Sequence, residues 1–140
     1  MDCQRCSWNR KRQLFEIAHQ LNCNVVAFGH NADDLAETTL MNLLFQSKVK
    51  TIPPVSEYFN GLFRLIRPLV LIPEKEMMKF SRLCKFPPPP PECDQSQQSQ
   101  RFMVKNFIEE NHNRFPNMRK NLIQAGLRAQ KSLLERETTR

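Results

Sequence analysis

Residues 25–38, VVAFGHNADDLAET, decide the fold of this chain. An apolar run ends at Gly29, and one imidazole (His30) and two carboxylates (Asp33 and Asp34) follow at the start of an amphipathic helix. In open α/β sheets, ligands bind in the crevice outside the carboxyl ends of the strands, where the chain turns into a helix. The segment therefore predicts an α/β fold with a candidate site at the end of this strand.

Helical and strand patterns alternate on both sides of this segment. Apolar periodicity predicts helices at 8–21, 33–46, after Pro73, at 100–111 and at 116–135, and strands at 23–29 and 62–70. Such alternation favours a parallel sheet. Residues 47–60 are predicted to be irregular, and Pro68 predicts that the second strand ends there or lies at a sheet edge.

The same periodicity predicts buried positions. Leu14, Ile17, Ala18 and Leu21 form an apolar stripe on the first helix, at the spacing of one buried face. Cys23 and Cys84 lie within apolar periodicity, so both are predicted to be small buried side chains.

Composition divides the chain into three parts. Residues 1–86 carry the alternating pattern and are predicted to form a partial α/β domain. Residues 87–99 open with five prolines and continue with glutamine and serine, so we expect a loop that carries Cys93. Residues 100–140 are predicted to form a helical C-terminal region.

The charge balance points to a polyanionic partner. The net charge is +7, from 21 Lys and Arg against 14 Asp and Glu, which favours nucleic acid. The excess is clustered at Arg10, Lys11 and Arg12, and in the final helix, where Arg119 is one of several cations. No apolar run reaches the ~18 residues of a membrane span, and the first residues lack a secretory pattern. We therefore predict a cytoplasmic protein with no membrane partner.

The cysteines suggest a metal site. Five is an odd number, so a closed set of disulfides is not expected. Cys3 and Cys6 form a C-x2-C pair, a spacing typical of metal, cluster or redox work in the cytosol. With Cys93 they could give three thiolates, if the proline run returns that loop to the N-terminus. Three ligands leave a position open, whereas a histidine such as His112 could complete a zinc site.

The polar residues around the first strand allow several roles. His30 could contact a nucleotide or carry a proton, and Asp33 and Asp34 could hold magnesium or accept a proton from an attacking group. Alternatively, His30 packs and the two acids only cap a helix. Arg67, at the end of the second strand, could neutralise a phosphate or could simply be solvated.

Taken in order, these motifs resemble one family. They are C-x2-C, a basic amphipathic helix, G-H-N-x-D-D-x-x-E-T-x-L-M-N, I-R-P-L, an E-K-E helix start and a Pro-Cys loop. The combination resembles the tRNA 2-thiocytidine synthetase family, which are PP-loop (N-type) ATP pyrophosphatases. The resemblance implies an adenine-nucleotide α-hydrolase-like fold with a Rossmann-like parallel sheet, of which this chain corresponds to the C-terminal part, followed by a helical tail.

The resemblance also implies a reaction, in which ATP and Mg²⁺ adenylate a tRNA cytidine and sulfur then replaces the activated oxygen. By this resemblance, a [4Fe–4S] cluster, or zinc as the alternative, would be held by Cys3, Cys6 and Cys93. A nucleotide would lie beside Gly29, His30 and Arg67, and catalysis would fall to Asp33 and Asp34, with Asp33 the preferred catalytic acid. The tRNA would face the basic final helix and the cluster Arg10, Lys11 and Arg12. A sulfur donor such as a cysteine desulfurase, and a homodimer, follow by analogy.

One expected motif is not in the sequence. The family's S-G-G-x-D-S loop, whose backbone amides cradle pyrophosphate, does not occur in these 140 residues. We therefore expect the chain to correspond to the C-terminal half of such an enzyme and not to hydrolyse ATP alone. Two other functions stay open, namely a non-catalytic, metal-stabilised RNA-binding module and an inactive relative.

Overall fold

The computed structural model describes residues 3–88 and 96–138. Along these residues the elements are α1 (Cys3–Gln20), β1 (Val25–Ala27), α2 (Ala32–Gln46), β2 (Val55–Tyr58), β3 (Phe63–Ile66), α3 (Glu74–Leu83), a 3₁₀ turn (Ser96–Gln98), α4 (Gln100–Glu110) and α5 (Met118–Thr138). Every predicted helix and both predicted strands are present, and the α/β class is confirmed. None of the described helices combines the length and the apolar character that crossing a membrane requires.

The three strands form one mixed sheet in the order β1-β3-β2. β1 and β3 are parallel, with Val26 opposite Leu65, as the alternation of helices and strands predicted. β2 runs antiparallel to β3, with Ser56 opposite Leu65. The parallel pair brings the carboxyl ends of β1 and β3 to the same edge, where the predicted site lies.

One prediction about the sheet is wrong, and another is confirmed in one of its two alternatives. Residues 47–60 are not irregular throughout, because β2 lies within them and returns to β3 through Phe59, Asn60 and Gly61, which all have positive φ. Of the two alternatives for Pro68, the end of the strand is confirmed, because β3 ends at Ile66, and the edge position is excluded, because β3 is the central strand. β2 has only four residues, of which half are exposed, so its pairing with β3 defines it more than its own pattern does.

α1 packs on the sheet through a stripe that shares only Ala18 with the predicted one. Phe15 and Ala18 are buried with Phe63 and Leu65, and the Phe15 ring centroid lies 5.4 Å from that of Phe63. Leu14, Ile17 and Leu21, which were predicted to be buried, are 38%, 50% and 68% exposed. The position of the sheet, rather than the helix periodicity, selects the buried face, because it places an aromatic cluster next to Phe15.

The two cysteines predicted to be buried are exposed. Cys23 lies in the connection between α1 and β1 and donates to the Leu21 carbonyl oxygen at 3.7 Å. Cys84 caps the end of α3, a helix in which none of the residues Glu74–Leu83 is buried. The apolar periodicity around Cys23 and Cys84 therefore predicted burial wrongly at both positions.

A second core joins α2 to α4 and α5. Ala36 and Leu40 of α2 are buried against Val104 and Ile108 of α4, and side chains of α5 pack on the same cluster. α5 approaches α2 so closely that a Cβ atom at Gly126 would lie 2.5 Å from the Thr39 hydroxyl oxygen. The C-terminal helices therefore stabilise the helix that carries the two predicted carboxylates.

Candidate functional site

A cleft of about 650 Å³ opens at the carboxyl ends of β1 and β3. Three segments form most of its walls, namely α1, the residues at the end of β1 and the first three turns of α2, and three single residues from more distant segments complete them. The lining residues are Ser7, Arg10, Lys11, Leu14, Ala27, Phe28, Gly29, His30, Asp34, Thr38, Met41, Asn42, Ile52, Arg67 and Arg101. The cleft therefore combines four cations with one carboxylate in a crevice that a small molecule could enter.

The structure brings most of the predicted site residues to this cleft. Gly29, His30, Asp34, Arg67, Arg10 and Lys11 line it. Asp33 lies outside it, and Arg12 pairs with Glu16 on the surface of α1, at 3.1 Å. The predicted cysteine ligands are placed only in part, as described below.

Asp34 is held in the cleft by the first turn of its own helix. The side-chain oxygen of Asn31 accepts from the backbone N–H groups of Asp33 and Asp34, at 2.9 and 3.1 Å. The Asp34 Oδ2 atom in turn accepts from the Asn31 N–H at 2.8 Å, which completes a capping box. The cap uses Oδ2, so Asp34 has Oδ1 left for a cation, and the Arg101 Nη2 atom lies 3.8 Å from it.

Asp33 has different partners on another side of α2. Its Oδ2 atom accepts from the Glu74 N–H at 2.7 Å, and its Oδ1 atom lies 2.9 Å from the Arg119 Nε atom. Arg119 also pairs with Glu109. Asp33 therefore caps the start of α3 and joins it to α5. Arg119 was expected to face RNA, but this internal pairing places it between helices instead.

His30 lines the cleft as a half-buried side chain. Its ring lies 5.6 Å from that of Phe28, and its Nδ1 atom is shielded from solvent without a hydrogen-bond partner among the described residues. Burial lowers the pKa of His30, and Arg67 lowers it further, whereas Asp34 opposes the shift. The imidazole is therefore uncharged near neutral pH, a form that can both donate and accept a hydrogen bond.

Arg67 is buried, so the alternative of a solvated side chain is excluded. Its Nη1 atom donates to the Pro53 carbonyl oxygen at 2.6 Å and to the Ser56 hydroxyl at 3.1 Å. Burial lowers the pKa of its guanidinium, which nevertheless stays charged at neutral pH. Its Nε atom has no partner within the described segments. Arg67 therefore fixes the segment before β2 to the sheet and places a positive charge at the cleft wall.

The sequence analysis missed Arg101, the second residue of α4. Its Nε atom lies 3.4 Å from Glu37 Oε2, and its Nη2 atom donates to the Thr38 hydroxyl at 3.3 Å. Glu37 is buried, and burial raises its pKa to about 7 although Arg101 opposes the shift. No local motif marks Arg101, because its partners on α2 are more than sixty residues away in sequence.

The cysteine pair begins the helix that forms one wall of the cleft. Cys3 is the first residue of α1, and Cys6, which is exposed and free, lies one turn later, next to Ser7 of the cleft. Thiolates one helical turn apart can bind one metal centre. The prediction for Cys93 falls outside the described residues. Within residues 3–88 and 96–138, no three His, Cys, Asp or Glu side chains are grouped to hold a metal ion.

These features define a Rossmann-like α/β domain. They are a small sheet with a parallel strand pair, the helices around it, and a cationic crevice at the ends of the strands. The chain belongs to the PP-loop domain family, whose model matches residues 8–115. The PP-loop family expected from the sequence motifs is thereby confirmed.

Two curated proteins that are similar to this chain share one name. The chain is 34% identical over 129 residues to a tRNA-cytidine(32) 2-sulfurtransferase of Geotalea uraniireducens, covering 88% of this chain and 50% of that protein. It is 41% identical over 85 residues to the enzyme of the same name from Citrifermentans bemidjiense, covering 61% of this chain and 33% of that protein. The chain thus spans half or less of the length of these relatives.

A solved structure supports the fold. The U34-tRNA thiolase NcsA from Methanococcus maripaludis, determined with its [4Fe–4S] cluster, matches with a TM-score of 0.63 and 23% identity. The match covers 91% of this chain and 43% of the thiolase chain.

Proposed function

We propose that this chain forms the C-terminal part of an ATP-dependent tRNA-cytidine sulfurtransferase. The observation that carries the proposal is the cleft, in which the capping box holds Asp34 opposite Arg10, Lys11, Arg67 and Arg101. The names of the curated relatives support a tRNA cytidine as substrate. The chemistry would be adenylation of the cytidine oxygen by ATP, with loss of pyrophosphate, followed by displacement of AMP by sulfur.

The charges of the cleft suit a nucleotide phosphate. Arginine and lysine side chains in a partly enclosed site stabilise phosphate oxygens and the charge that develops during transfer. Asp34 can bind Mg²⁺ or accept a proton, because its Oδ1 atom is not used by the cap. We assign the catalytic role first to Asp34 and only second to Asp33, whose two oxygens already bind Glu74 and Arg119.

Gly29 and His30 would bind the adenine nucleotide at the end of β1. The shielded Nδ1 atom of His30 and the shielded Nε atom of Arg67 both lack partners among the described residues. Unpartnered buried polar atoms are uncommon in proteins. A small rearrangement on ligand binding would give both of them a partner.

Cys3, Cys6 and Cys93 would hold a [4Fe–4S] cluster, with zinc as the alternative. The exposed Cys6 beside the cleft wall fits such a site, since a metal centre there would lie next to the reacting nucleotide. When bound, the cluster would offer an open iron position to the incoming sulfur. We further propose a cytoplasmic, homodimeric enzyme that receives sulfur from a donor such as a cysteine desulfurase.

The test is a chimeric enzyme. The N-terminal half of the Geotalea uraniireducens relative is joined to this chain, and 2-thiocytidine is measured in tRNA by mass spectrometry after anaerobic reconstitution. We expect thiolation that is lost in the Asp34→Asn variant. A folded chimera that binds its cluster but produces no thiolated tRNA would overturn the proposal. The chain alone should release no pyrophosphate from ATP.

A non-catalytic, metal-stabilised RNA-binding module is the second candidate. The exposed Cys6 and the basic residues of the same helix favour it. Reconstitution of the chain with iron and sulfide separates the two functions. A brown protein that absorbs at about 400 nm, and whose Cys93→Ser variant lacks this absorbance, supports the cluster. A colourless protein with one tightly bound zinc ion would favour the module.

A further inference from the structure

The only tryptophan of the chain lies on the surface beside the cleft. Trp8 is 61% exposed, although burial of a tryptophan side chain is strongly favourable. It stands next to Ser7 and one turn before Lys11, and both of these residues line the cleft. An exposed indole at the rim of a functional cleft is therefore a candidate contact for a ligand.

The surroundings of Trp8 are strongly basic. Residues 5–12 of α1 carry four cations, with no acidic residue among them. The Arg12 Cζ atom lies 5.8 Å from the centre of the Trp8 ring, which is a cation–π contact. Arg10 and Lys11 turn toward the cleft, so positive charge extends from the ring into the crevice.

An aromatic ring set among cations fits a single-stranded nucleic acid. Bases of unpaired nucleotides stack on aromatic side chains, while arginine and lysine contact the phosphates. Inside a duplex the bases are already stacked on each other, so they present no free face to an indole ring. The combination of an exposed indole and an acid-free basic stretch thus favours an unpaired RNA loop over a helical stem.

We propose that Trp8 is a stacking platform for an unpaired RNA base next to the nucleotide that enters the cleft. The proposal rests on the proposed function, since it takes RNA to be the substrate. Arg12 covers one side of the ring, and the base would stack on the other side, so that guanidinium, indole and base form one column. Lys11 and Arg10 would then contact the adjoining phosphates.

Tryptophan fluorescence tests the stacking role directly, because Trp8 is the only tryptophan in the sequence. The probe is a 17-nucleotide RNA hairpin with a seven-nucleotide loop (about the size of an anticodon arm), compared with a blunt RNA duplex of equal length. We expect saturable quenching of Trp8 by the hairpin and little quenching by the duplex.

Variants then measure the contribution of the ring to affinity, with fluorescently labelled hairpin followed by anisotropy. Trp8→Ala should raise Kd about tenfold, in line with about 1–3 kcal/mol for one stacked base, and Trp8→Phe should raise it less. Phe115→Ala is the matched control, because Phe115 is also exposed and also has an arginine, Arg114, 5.7 Å from its ring centre. This control should leave Kd unchanged.

The outcomes separate the two proposals. If the wild type and the Trp8→Ala and Phe115→Ala variants all bind the hairpin equally well, the stacking role is wrong. The proposal that RNA is the substrate is then not contradicted. Equal quenching by duplex and hairpin would also overturn it. If the folded wild-type chain binds neither RNA, the stacking role fails, and the tRNA partner of the proposed function is contradicted as well.

Discussion

Asp33 and Asp34 are consecutive residues at the start of α2, yet they serve different parts of the molecule. Asp33 accepts from the Glu74 N–H at 2.7 Å and pairs with Arg119, so it ties α3 and α5 to α2. Asp34 closes the capping box with Asn31 and lines the cleft. Adjacent residues on a helix point about 100° apart, since one turn takes about 3.6 residues, and this rotation separates the two roles.

The first prediction separates stability from activity at these two positions. Asp33→Ala should lower the free energy of unfolding by about 1–2 kcal/mol, because α3 loses its cap and Arg119 loses a partner. Asp34→Asn keeps an oxygen for the Asn31 N–H and should cost less than about 0.5 kcal/mol. Urea denaturation of the chain measures both.

In the chimeric enzyme the order should reverse, with Asp34→Asn lowering the rate of thiolation about 100-fold and Asp33→Ala less than about tenfold. A larger loss of rate in the Asp33 variant, at a temperature where it is folded, would assign the chemistry to Asp33.

The second prediction concerns the contact between Arg101 and Glu37, which joins α4 to α2. A double-mutant cycle with Arg101→Ala and Glu37→Gln should give a coupling free energy of about 1 kcal/mol, because Glu37 is buried although Arg101 is partly exposed. The matched control is the pair Arg12–Glu16, in which both side chains are more than half exposed. Its coupling should stay below about 0.5 kcal/mol. Equal coupling in the two pairs would contradict the prediction.

The third prediction is a pH dependence that arises from Glu37. Burial raises its pKa from 4.5 to about 7, so the folded state binds a proton that the unfolded state releases between these pH values. The contribution of Glu37 to stability therefore falls as the pH rises from 4.5 to 7 and is constant above 7.

Glu37→Gln removes this titration. Relative to the wild type, the variant should gain roughly 2–3 kcal/mol over that interval, since each pKa unit corresponds to about 1.4 kcal/mol. Chemical denaturation at a series of pH values measures the difference, and Glu110→Gln controls for the loss of a carboxylate at an exposed position. A difference between Glu37→Gln and wild type that does not change with pH would show that Glu37 titrates normally.

The fourth prediction tests the packing of α5 on α2. A methyl group at Gly126 would lie 2.5 Å from Thr39 Oγ1 and 2.7 Å from Thr51 Cβ. Gly126→Ala should therefore lower the free energy of unfolding by about 1–2 kcal/mol, even though alanine favours a helix by about 1 kcal/mol. The control is Gln124→Ala, at an exposed position two residues earlier on the same helix. Stabilisation by Gly126→Ala would mean that α5 does not approach α2 so closely.

Local patterns predicted much of the fold. The helix at 33–46 was predicted from apolar spacing and from acids in its first turn, and α2 spans Ala32–Gln46 with Asn31 as its cap. These features depend on residues within one or two turns of each other, so the sequence contains them directly. β2 was missed because a four-residue strand is defined by its pairing with β3. The buried stripe of α1 was predicted only at Ala18, because the position of the sheet selects its other member, Phe15.

The candidate site was predicted in part, because only some of its residues are close to each other in sequence. Gly29, His30 and Asp34 follow β1 directly, so a strand end followed by a helix was enough to place them at one crevice. Arg67 also lies at a strand end, but its burial depends on Pro53 and Ser56, which reach it through the β2–β3 pairing. Arg101 had no local signal, because only the packing of α4 on α2 brings it to the cleft.

The sequence by itself determined the α/β class, the strand that ends at the cleft, and the set of polar residues near it, since all of these depend on short-range spacing. Only the tertiary structure decided which of two adjacent carboxylates enters the cleft, which cations surround it, and which apolar faces are buried. Those outcomes depend on contacts with residues dozens of positions away, such as Asp33 with Glu74 and Thr38 with Arg101. Such contacts form only when the packing of α2 against the C-terminal helices fixes the distances between distant segments.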